Sequence, residues 1–443
     1  MKLLKGNIIH APALERLETI ENGALVLKDD GTIREVLRTA PAAFDGRVYD
    51  YSGQLIMQSF ADMHLHAPQY PNVGTGMDLP LLDWLKKYTF PAEARFADPE
   101  YARRVYRKLA HDLIANGTTR VVMFSSMHTD ATLILMDELE KAGVTGYVGK
   151  VNMDRNGGEN LEETTEESMR ETLRWLAACE QFHYVKPILT PRFTPSCTDE
   201  LMAWLGKLAA EKSLYVQSHL SENRDEIDWV RALHPDCARY WESYDKFGLW
   251  KDHTVMAHCV HSDKRERDAI RQAGVVVAHC PDSNINLCSG IAPVREMLDE
   301  GLWVTLGTDI AAGASLAGSR MVTMGIQASK VRSFSEPNRP AFLTVPEAYY
   351  LGTTSGHRYF GAGAGFAAGD KLHAVVVDDR SFTETPVPLS LPERLERALY
   401  TMQSRDVRAV WSEGRLVAGR ESTGTSLLWG IHQAMARIRT EIP

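Results

Sequence analysis

The feature that most constrains the fold is a regular alternation of short apolar runs with amphipathic segments through the middle of the chain. One apolar run ends at His64-Leu65-His66, and seven more begin near residues 120, 146, 185, 214, 254, 275 and 303. Segments of helical period lie between them, for example at 130–142, 165–180, 198–211, 263–273 and 317–331. Continuous apolar strands indicate a parallel sheet buried on both faces, so eight strand–helix units predict an α/β fold with a (β/α)8 TIM-type barrel.

An open doubly wound sheet is the alternative fold for this alternation. Such a sheet usually carries a glycine-rich dinucleotide-binding turn after its first strand, and this sequence has none there. The glycine-rich stretch at 361–369 has no strand before it, so we interpret it as a turn that closes the barrel region.

Two β-rich regions flank the alternating part. Residues 24–28 and 33–36 surround an Asp-Gly turn and predict a hairpin. The apolar stretch 374–378 predicts a further strand, and 408–419 predicts a second hairpin around a glycine. We therefore predict two domains. A barrel occupies 58–366, and a small composite β-sandwich domain with C-terminal helices is built from 1–57 and 367–443.

Composition excludes several classes of function. The net charge of −9 argues against a surface for nucleic acid or for an anionic membrane. None of the six cysteines forms a Cys-x-x-Cys pair, so neither a disulfide framework nor a thiolate zinc ribbon is indicated. The first residues do not read as a signal peptide, and no apolar run reaches transmembrane length. We expect a cytoplasmic protein.

Histidines at the predicted strand ends point to a metal site. His64 and His66 are two positions apart on one strand, so their side chains project from the same face. His219, His258 and Asp309 end three other predicted strands, and barrel strands bring their carboxyl ends together. Imidazole nitrogens with one carboxylate suit zinc or iron. Packed core histidines are the alternative for His258 and for His279, where we favour it, and Asp309 could cap a helix.

Glu222 follows His219 by three residues, where the chain should turn into a helix. A carboxyl beside a metal-activated water can carry protons in general acid–base catalysis. A capping-box role after Ser221 does not fit, because the box requires glutamate three residues beyond the cap. Asp225 or Glu226 could instead serve the start of that helix.

Four longer strings resemble one family. They are His66-Ala-Pro-Gln-Tyr70, the segment 78–93, Thr190-Pro-Arg-Phe193 and Gln217-Ser-His-Leu-Ser-Glu-Asn223. Together with the strand-end residues, they resemble the metal-dependent hydrolases of the amidohydrolase superfamily over nearly the whole chain, and more narrowly the members that deaminate guanine. Two places depart from the usual pattern, Gln58-Ser59 and Leu372-His373, and neither contains a predicted ligand.

The resemblance implies a metal centre with three catalytic residues. The expected ligands of a single zinc ion, with iron as the other possibility, are His64, His66, His219 and Asp309. His258 and Asp309 would orient the activated water, and Glu222 would act as the proton shuttle.

It also implies a substrate and an assembly. Gln69 and Arg192 would read a small-molecule purine, with Phe193 at its ring. Arginine is a fixed, always charged donor for the carbonyl oxygen of guanine, although Arg192 could equally form a surface ion pair. The expected reaction is hydrolysis of guanine to xanthine and ammonia in purine catabolism, and the family resemblance implies a homodimer.

Three alternatives stay open at this point. The substrate could be another aminated heterocycle, such as an oxidised purine, a pyrimidine or a triazine. A dinuclear amidase would need a carbamylated lysine, for which Lys150 is the candidate, and a non-catalytic barrel scaffold is a remote possibility. Trp84, Tyr88 and Phe90 could form a lid or wall beside the purine, but we favour simple packing for them.

Overall fold

The computed structural model of the chain describes residues 1–158, 161–382, 384–419 and 428–429. Eight short parallel strands form its centre, and they follow the eight apolar runs of the sequence. In chain order they are β1 (Phe60–His66), β2 (Thr118–Phe124), β3 (Thr145–Gly149), β4 (Val185–Pro187), β5 (Gln217–Leu220), β6 (Val255–His258), β7 (Val276–His279) and β8 (Trp303–Leu306). They pair in sequence order as two four-stranded parallel sheets, β1–β4 and β5–β8.

Backbone hydrogen bonds connect the two sheets at both edges. Between β4 and β5, the Gln217 amide donates to the Leu189 carbonyl at 2.9 Å. Between β8 and β1, the Asp309 amide donates to the His64 carbonyl at 2.8 Å, and the His66 amide donates to the Ile310 carbonyl at 2.8 Å. This arrangement is consistent with the predicted (β/α)8 barrel. The two-residue strands Val151–Asn152 and Thr190–Pro191 add a parallel pair beside β3 and β4.

Helices follow the central strands, as the sequence period predicts. The α-helices are Leu81–Trp84, Phe90–Ala94, Pro99–Ala115, Thr129–Ala142, Thr165–Ala178, Asp199–Glu211, Arg224–Leu233, Glu242–Asp245, Lys264–Ala273, Pro281–Asn286, Val294–Asp299, Gly318–Ser335, Val345–Gly352, Thr354–Tyr359 and Leu391–Thr401. Short 3-10 turns are Ala67–Asn72, Arg95–Ala97, Cys179–Gln181, Thr194–Ser196, Asp379–Ser381 and Ser404–Asp406, and Leu85–Thr89 is a π-helical turn. The five predicted helical segments are confirmed, with starts or ends that differ by a few residues. Among the described residues, no helix combines the length and apolar character needed to cross a membrane.

Strands from both ends of the chain meet in one mixed sheet. Its eight strands lie side by side in the order Leu428–Trp429, Arg415–Gly419, Val407–Ser412, Ala374–Val377, Arg47–Gln58, Lys2–Ala13, Arg16–Leu27 and Ile33–Leu37. Both predicted hairpins are present as antiparallel pairs. The helix Leu391–Thr401 belongs to the predicted C-terminal helices, and the rest of that prediction, beyond Gly419, lies outside the described residues apart from 428–429.

The two places that depart from the family pattern lie next to each other where this sheet meets β1. The Ser59 amide donates to the His373 carbonyl at 3.3 Å. The Gln58 side chain accepts from the Ala11 amide at 2.9 Å and donates to the Thr354 hydroxyl at 2.8 Å. The side chain of this buried glutamine thus hydrogen-bonds to both the sheet and the helix Thr354–Tyr359.

Two main apolar cores result from this architecture. The larger one lies between the central strands and their helices and includes Leu109, Leu205 and Leu306. The second lies on the sheet formed by the chain ends and includes Ile56 and Trp411. Polar residues lie at the carboxyl ends of β1, β5, β6 and β8, and they define the candidate site.

Candidate active site

Four donor side chains converge at the carboxyl ends of β1, β5 and β8. The His66 and His219 Nε2 atoms are 3.1 Å apart. The Asp309 Oδ1 atom lies 3.3 Å from His64 Nε2 and 3.4 Å from His66 Nε2. The sequence therefore identified residues that the fold brings within a few ångströms of one another, although they are up to 245 positions apart.

These donors fit a metal ion better than they fit one another. The buried His64 Nε2 atom has no hydrogen-bond partner among the described residues. Burial and neighbouring imidazoles lower the pKa of His66 and of His219 well below the usual value, so both rings carry free lone pairs. Zinc–nitrogen bonds of about 2.0–2.1 Å place neighbouring ligand atoms roughly 3.0–3.4 Å apart, close to the distances seen here.

Two imidazoles are oriented by bonds to their outer nitrogens. His219 Nδ1 lies 2.5 Å from the Arg192 carbonyl oxygen, and His258 Nδ1 lies 2.8 Å from Asn284 Oδ1. A carbonyl oxygen can only accept, so in each ring Nδ1 carries the hydrogen and Nε2 presents its lone pair to the site. This is the usual way in which proteins orient metal-binding or water-binding histidines.

Glu222 faces the same point from the other side. Its Oε2 atom is 3.5 Å from His258 Nε2, and the same His258 nitrogen is 3.8 Å from Asp309 Oδ2. Burial, and secondly the charge of Asp309, raises the pKa of Glu222 to about 8. The Ser289 hydroxyl donates to Glu222 Oε1 at 3.1 Å. The carboxyl can therefore hold a proton near neutral pH.

Several of these residues adopt a backbone conformation that side chains rarely take. The φ angles are 48° at Ser221, 74° at His258 and 49° at Asp309. Left-handed conformations at non-glycine residues cost energy and concentrate at functional sites. At the ends of β5, β6 and β8, the backbone therefore adopts an unfavourable conformation in a place where side chains point into the site.

A cavity opens over the donors. The predicted substrate residues Gln69, Arg192 and Phe193 all line it, as do His66, His219, Glu222, His258 and Asp309. Its apolar side is formed by Leu81, Trp84 and Leu85. Trp84 is thus both a packed residue and part of the cavity wall. The centroid of the Phe90 ring lies 5.2 Å from the guanidinium carbon of Arg192.

Arg192 forms a buried ion pair that the sequence analysis did not foresee. Its Nη1 and Nη2 atoms donate to the two carboxylate oxygens of Glu93, at 2.6 and 3.0 Å. The alternative of a surface ion pair for Arg192 is wrong, because the arginine is 3% exposed and Glu93 is 1% exposed. The Gln69 side-chain amide also donates to Glu93, at 2.9 Å.

Other supporting residues escaped prediction because their contacts cross between distant segments. Ser283, which donates to Asp309 Oδ2, and Asn284 lie on the short helix that follows β7. The string Pro281-Asp-Ser-Asn284 directly after a predicted strand end was the available signal for both. Glu93 lay within the quoted segment 78–93, but nothing in its spacing indicated a partner a hundred residues away.

Two candidates lie apart from the site. His279 is buried and does not belong to the grouped potential metal ligands, in line with a packed core histidine. The Lys150 ammonium donates to Glu163 Oε1 and Oε2 at 2.8 and 2.9 Å, and this lysine does not line the cavity. Glu226 serves the helix Arg224–Leu233 in a capping box with Asn223, as expected for that position.

The fold and this donor set define a metal-dependent hydrolase, and the chain belongs to the amidohydrolase family, whose sequence pattern matches residues 55–417. Within that family it belongs with the guanine deaminases. It is 38% identical over 378 residues to guanine deaminase of Mus musculus, covering 82% of this chain and 83% of the relative. It is 36% identical over 400 residues to guanine deaminase of Dictyostelium discoideum, covering 85% and 89%.

A solved structure shows the same similarity. The crystal structure of guanine deaminase from C. acetobutylicum with bound guanine in the active site superposes with a TM-score of 0.90 at 41% identity. The match covers 94% of this chain and 99% of that chain.

Proposed function

We propose that this chain hydrolyses guanine to xanthine and ammonia with the help of one metal ion held by His64, His66, His219 and Asp309. The observation that carries this proposal is the meeting of three groups in one cavity. A nitrogen and oxygen donor cluster, the buried acid Glu222, and the polar pair Gln69 and Arg192 all line it. The similarity of the chain to guanine deaminases supports guanine as the substrate.

The donor set indicates which metal would suit the site. Three imidazole nitrogens and one carboxylate oxygen are typical ligands of zinc, and iron accepts the same set. When bound, such an ion lowers the pKa of a coordinated water towards about 7 and so supplies a nucleophile at neutral pH.

The residues around the water position would control its proton. Asn284 fixes the His258 ring so that its Nε2 lone pair faces Glu222 and Asp309. Ser283 donates to Asp309 Oδ2, which keeps that carboxylate oriented. His258 and Asp309 would thus accept hydrogen bonds from the water and aim it at the ring carbon that carries the amino group.

Glu222 would move the proton between water and substrate. It takes one proton as the water attacks and delivers it to the adjacent ring nitrogen. It then takes the second proton from the newly formed C–OH group and delivers it to the departing amino group. A carbon–oxygen bond forms, the carbon–nitrogen bond breaks, and the products are xanthine and ammonia. The 3.5 Å separation between Glu222 Oε2 and His258 Nε2 supports this role.

Arg192, Gln69 and Phe193 would hold the purine. The guanidinium donates to the carbonyl oxygen of guanine, the glutamine amide donates to the base edge, and the Phe193 ring lies against the purine face. The position of Phe193 in the cavity lining supports this role, and its ring centroid lies 6.4 Å from that of His219 and 5.9 Å from that of Trp229.

A substrate panel tests the proposal. Ammonia release and ultraviolet spectra would be followed with guanine, adenine, cytosine and an aminotriazine, and metal content would be measured on the same sample. Turnover of guanine alone, with about one metal per chain, is the expected result. Turnover of another ring with no turnover of guanine would overturn the substrate assignment, and Arg192 would then be the first residue to re-examine.

The same proposal includes the finer architecture. The eight central strands would close a (β/α)8 barrel at 58–366, and 1–57 with 367–443 would form the composite β-sandwich domain. The hydrogen bonds at both sheet edges support closure. A homodimer is the expectation from the family resemblance, and sedimentation velocity tests it. A cytoplasmic location is the expectation from the sequence alone.

A further inference from the structure

A buried glutamate outside the catalytic group holds both of the residues that would read the base. Glu93 lies on the short helix Phe90–Ala94 and does not line the cavity. Its Oε2 atom accepts from Arg192 Nη1, and its Oε1 atom accepts from Arg192 Nη2 and from Gln69 Nε2. One carboxylate therefore fixes two side chains that come from distant parts of the sequence.

These bonds determine what each side chain can offer a ligand. The Ala311 amide donates to Gln69 Oε1 at 3.3 Å, while Gln69 Nε2 donates to Glu93. The amide orientation is thereby set, and one N–H of Gln69 is left for the cavity. Arg192 uses two of its five N–H groups on Glu93 and keeps three.

The pairing also sets the charge of the base-reading part of the cavity. The Arg192 guanidinium is a cation, and the bidentate carboxylate offsets its charge within the same buried space. A neutral purine then receives oriented donors without meeting a net positive charge. If Glu93 were neutral, the guanidinium would be a buried, uncompensated cation, and it would favour an anionic ligand.

We infer that Glu93 is the positioning residue that makes this site selective for a neutral oxopurine, because it hydrogen-bonds to Arg192 and Gln69 at the same time. The inference deepens the proposed function and rests on it. Glu93 acts through other residues, so its loss affects substrate binding more than the chemical step. Interactions that are equally strong in the ground and transition states change KM rather than kcat.

Three variants test the inference by ammonia release. Glu93→Gln removes the charge at constant shape, and Glu93→Asp keeps the charge but shortens the reach. Glu163→Gln is the matched control, because Glu163 makes a similarly buried bidentate pair with Lys150 away from the cavity. The probe for charge is urate, an oxopurine that is a monoanion at neutral pH, used as a competitive inhibitor of guanine turnover.

We expect Glu93→Gln to raise the KM for guanine about 10- to 100-fold with kcat changed less than about threefold, since hydrogen bonds to charged groups are lost or misdirected. The same variant should bind urate about tenfold more tightly. Glu93→Asp should raise KM but leave urate inhibition near that of the unaltered chain. Glu163→Gln should lower thermal stability and leave both constants unchanged.

Two results would overturn the inference. The first is an unchanged inhibition constant for urate in the Glu93→Gln variant, once circular dichroism has shown that this variant is folded. The second is a decrease in kcat of the same variant without a change in KM. If the Glu93→Gln variant does not fold, the KM for guanine of Glu93→Asp is compared with that of Glu163→Gln. Equal KM values would contradict the inference. Failure of the proposed function looks different, because the unaltered chain itself would then not turn over guanine.

Discussion

Glu222 is the residue on which the proposed proton transfers depend. Its carboxyl is buried 3.5 Å from His258 Nε2 and lies outside the set of four proposed metal ligands. Replacing it by glutamine keeps the volume and removes the ability to exchange a proton. We expect Glu222→Gln to retain its metal and to lose about 10²- to 10⁴-fold in kcat, as is typical when a general acid–base group is removed.

Metal analysis and steady-state kinetics on the same preparation measure this outcome. Loss of metal together with activity would mean that Glu222 supports the ligands. A kcat within a few-fold of the unaltered chain would remove it from the mechanism.

Asn284 is the second residue whose change separates orientation from chemistry. It accepts the Nδ1 hydrogen of His258 at 2.8 Å, so it determines which ring nitrogen faces the water. Asn284→Ala should lower kcat about tenfold or more, in the range usual for residues that orient such histidines. Asn284→Asp keeps an acceptor and should retain more of kcat, whereas equal losses in both variants would argue against an orienting role.

At this scale the sequence predicted the residues that carry chemistry better than those that hold them. His64, His66, His219, His258 and Asp309 could be found because strand ends of a parallel sheet must meet at one edge. Their partners Asn284, Ser283 and Glu93 could not be found in the same way. Side-chain contacts between segments far apart in the chain depend on helix placement, which periodicity does not fix.

At the scale of elements, the seam between β1 and β8 holds the two halves of the proposed metal site together. Gly307 directly follows β8, and a Cβ atom there would lie 2.9 Å from both Cβ and the carbonyl oxygen of His64. The His64 backbone cannot move away from this contact without a large energetic cost, so the ends of β1 and β8 would have to separate. We expect Gly307→Ala to cost about 1–3 kcal/mol in the free energy of unfolding and to weaken metal binding.

Gly325 provides the matched comparison for that change. It lies inside the helix Gly318–Ser335, and a Cβ atom there would meet its nearest neighbour, Leu306, at 3.7 Å. Gly325→Ala should therefore be neutral or stabilise the chain by about 0.4–1 kcal/mol, through a less flexible unfolded state. Urea denaturation and metal content measure both variants, and similar effects at the two sites would contradict a special role for the seam.

Element boundaries show where local sequence signals were sufficient. Thr164 with Glu167, Thr344 with Glu347, and Asn223 with Glu226 form capping boxes, so the starts of those helices are set by residues three apart. The segment after His66 was harder to interpret. There short helical turns of three kinds follow one another over 67–97 and shape the cavity wall.

At the scale of the whole molecule, the chain ends had to meet for the predicted composite domain to exist. Ala374–Val377 pairs with Arg47–Gln58 on one side and with Val407–Ser412 on the other. The β character of both ends was readable from alternation and turn residues. Their common sheet, with eight strands in a mixed order, was only suggested, because pairing between residues more than 300 positions apart leaves no local pattern.

The central claim is that one metal ion, held by three histidines and Asp309, activates water for guanine deamination. The most direct test is to remove metal with a chelator and then to titrate zinc back while guanine turnover and metal content are followed together. We predict no turnover without metal and a linear recovery that saturates at about one zinc per chain. Turnover by the metal-free chain, or recovery that requires two ions per chain, would contradict the account.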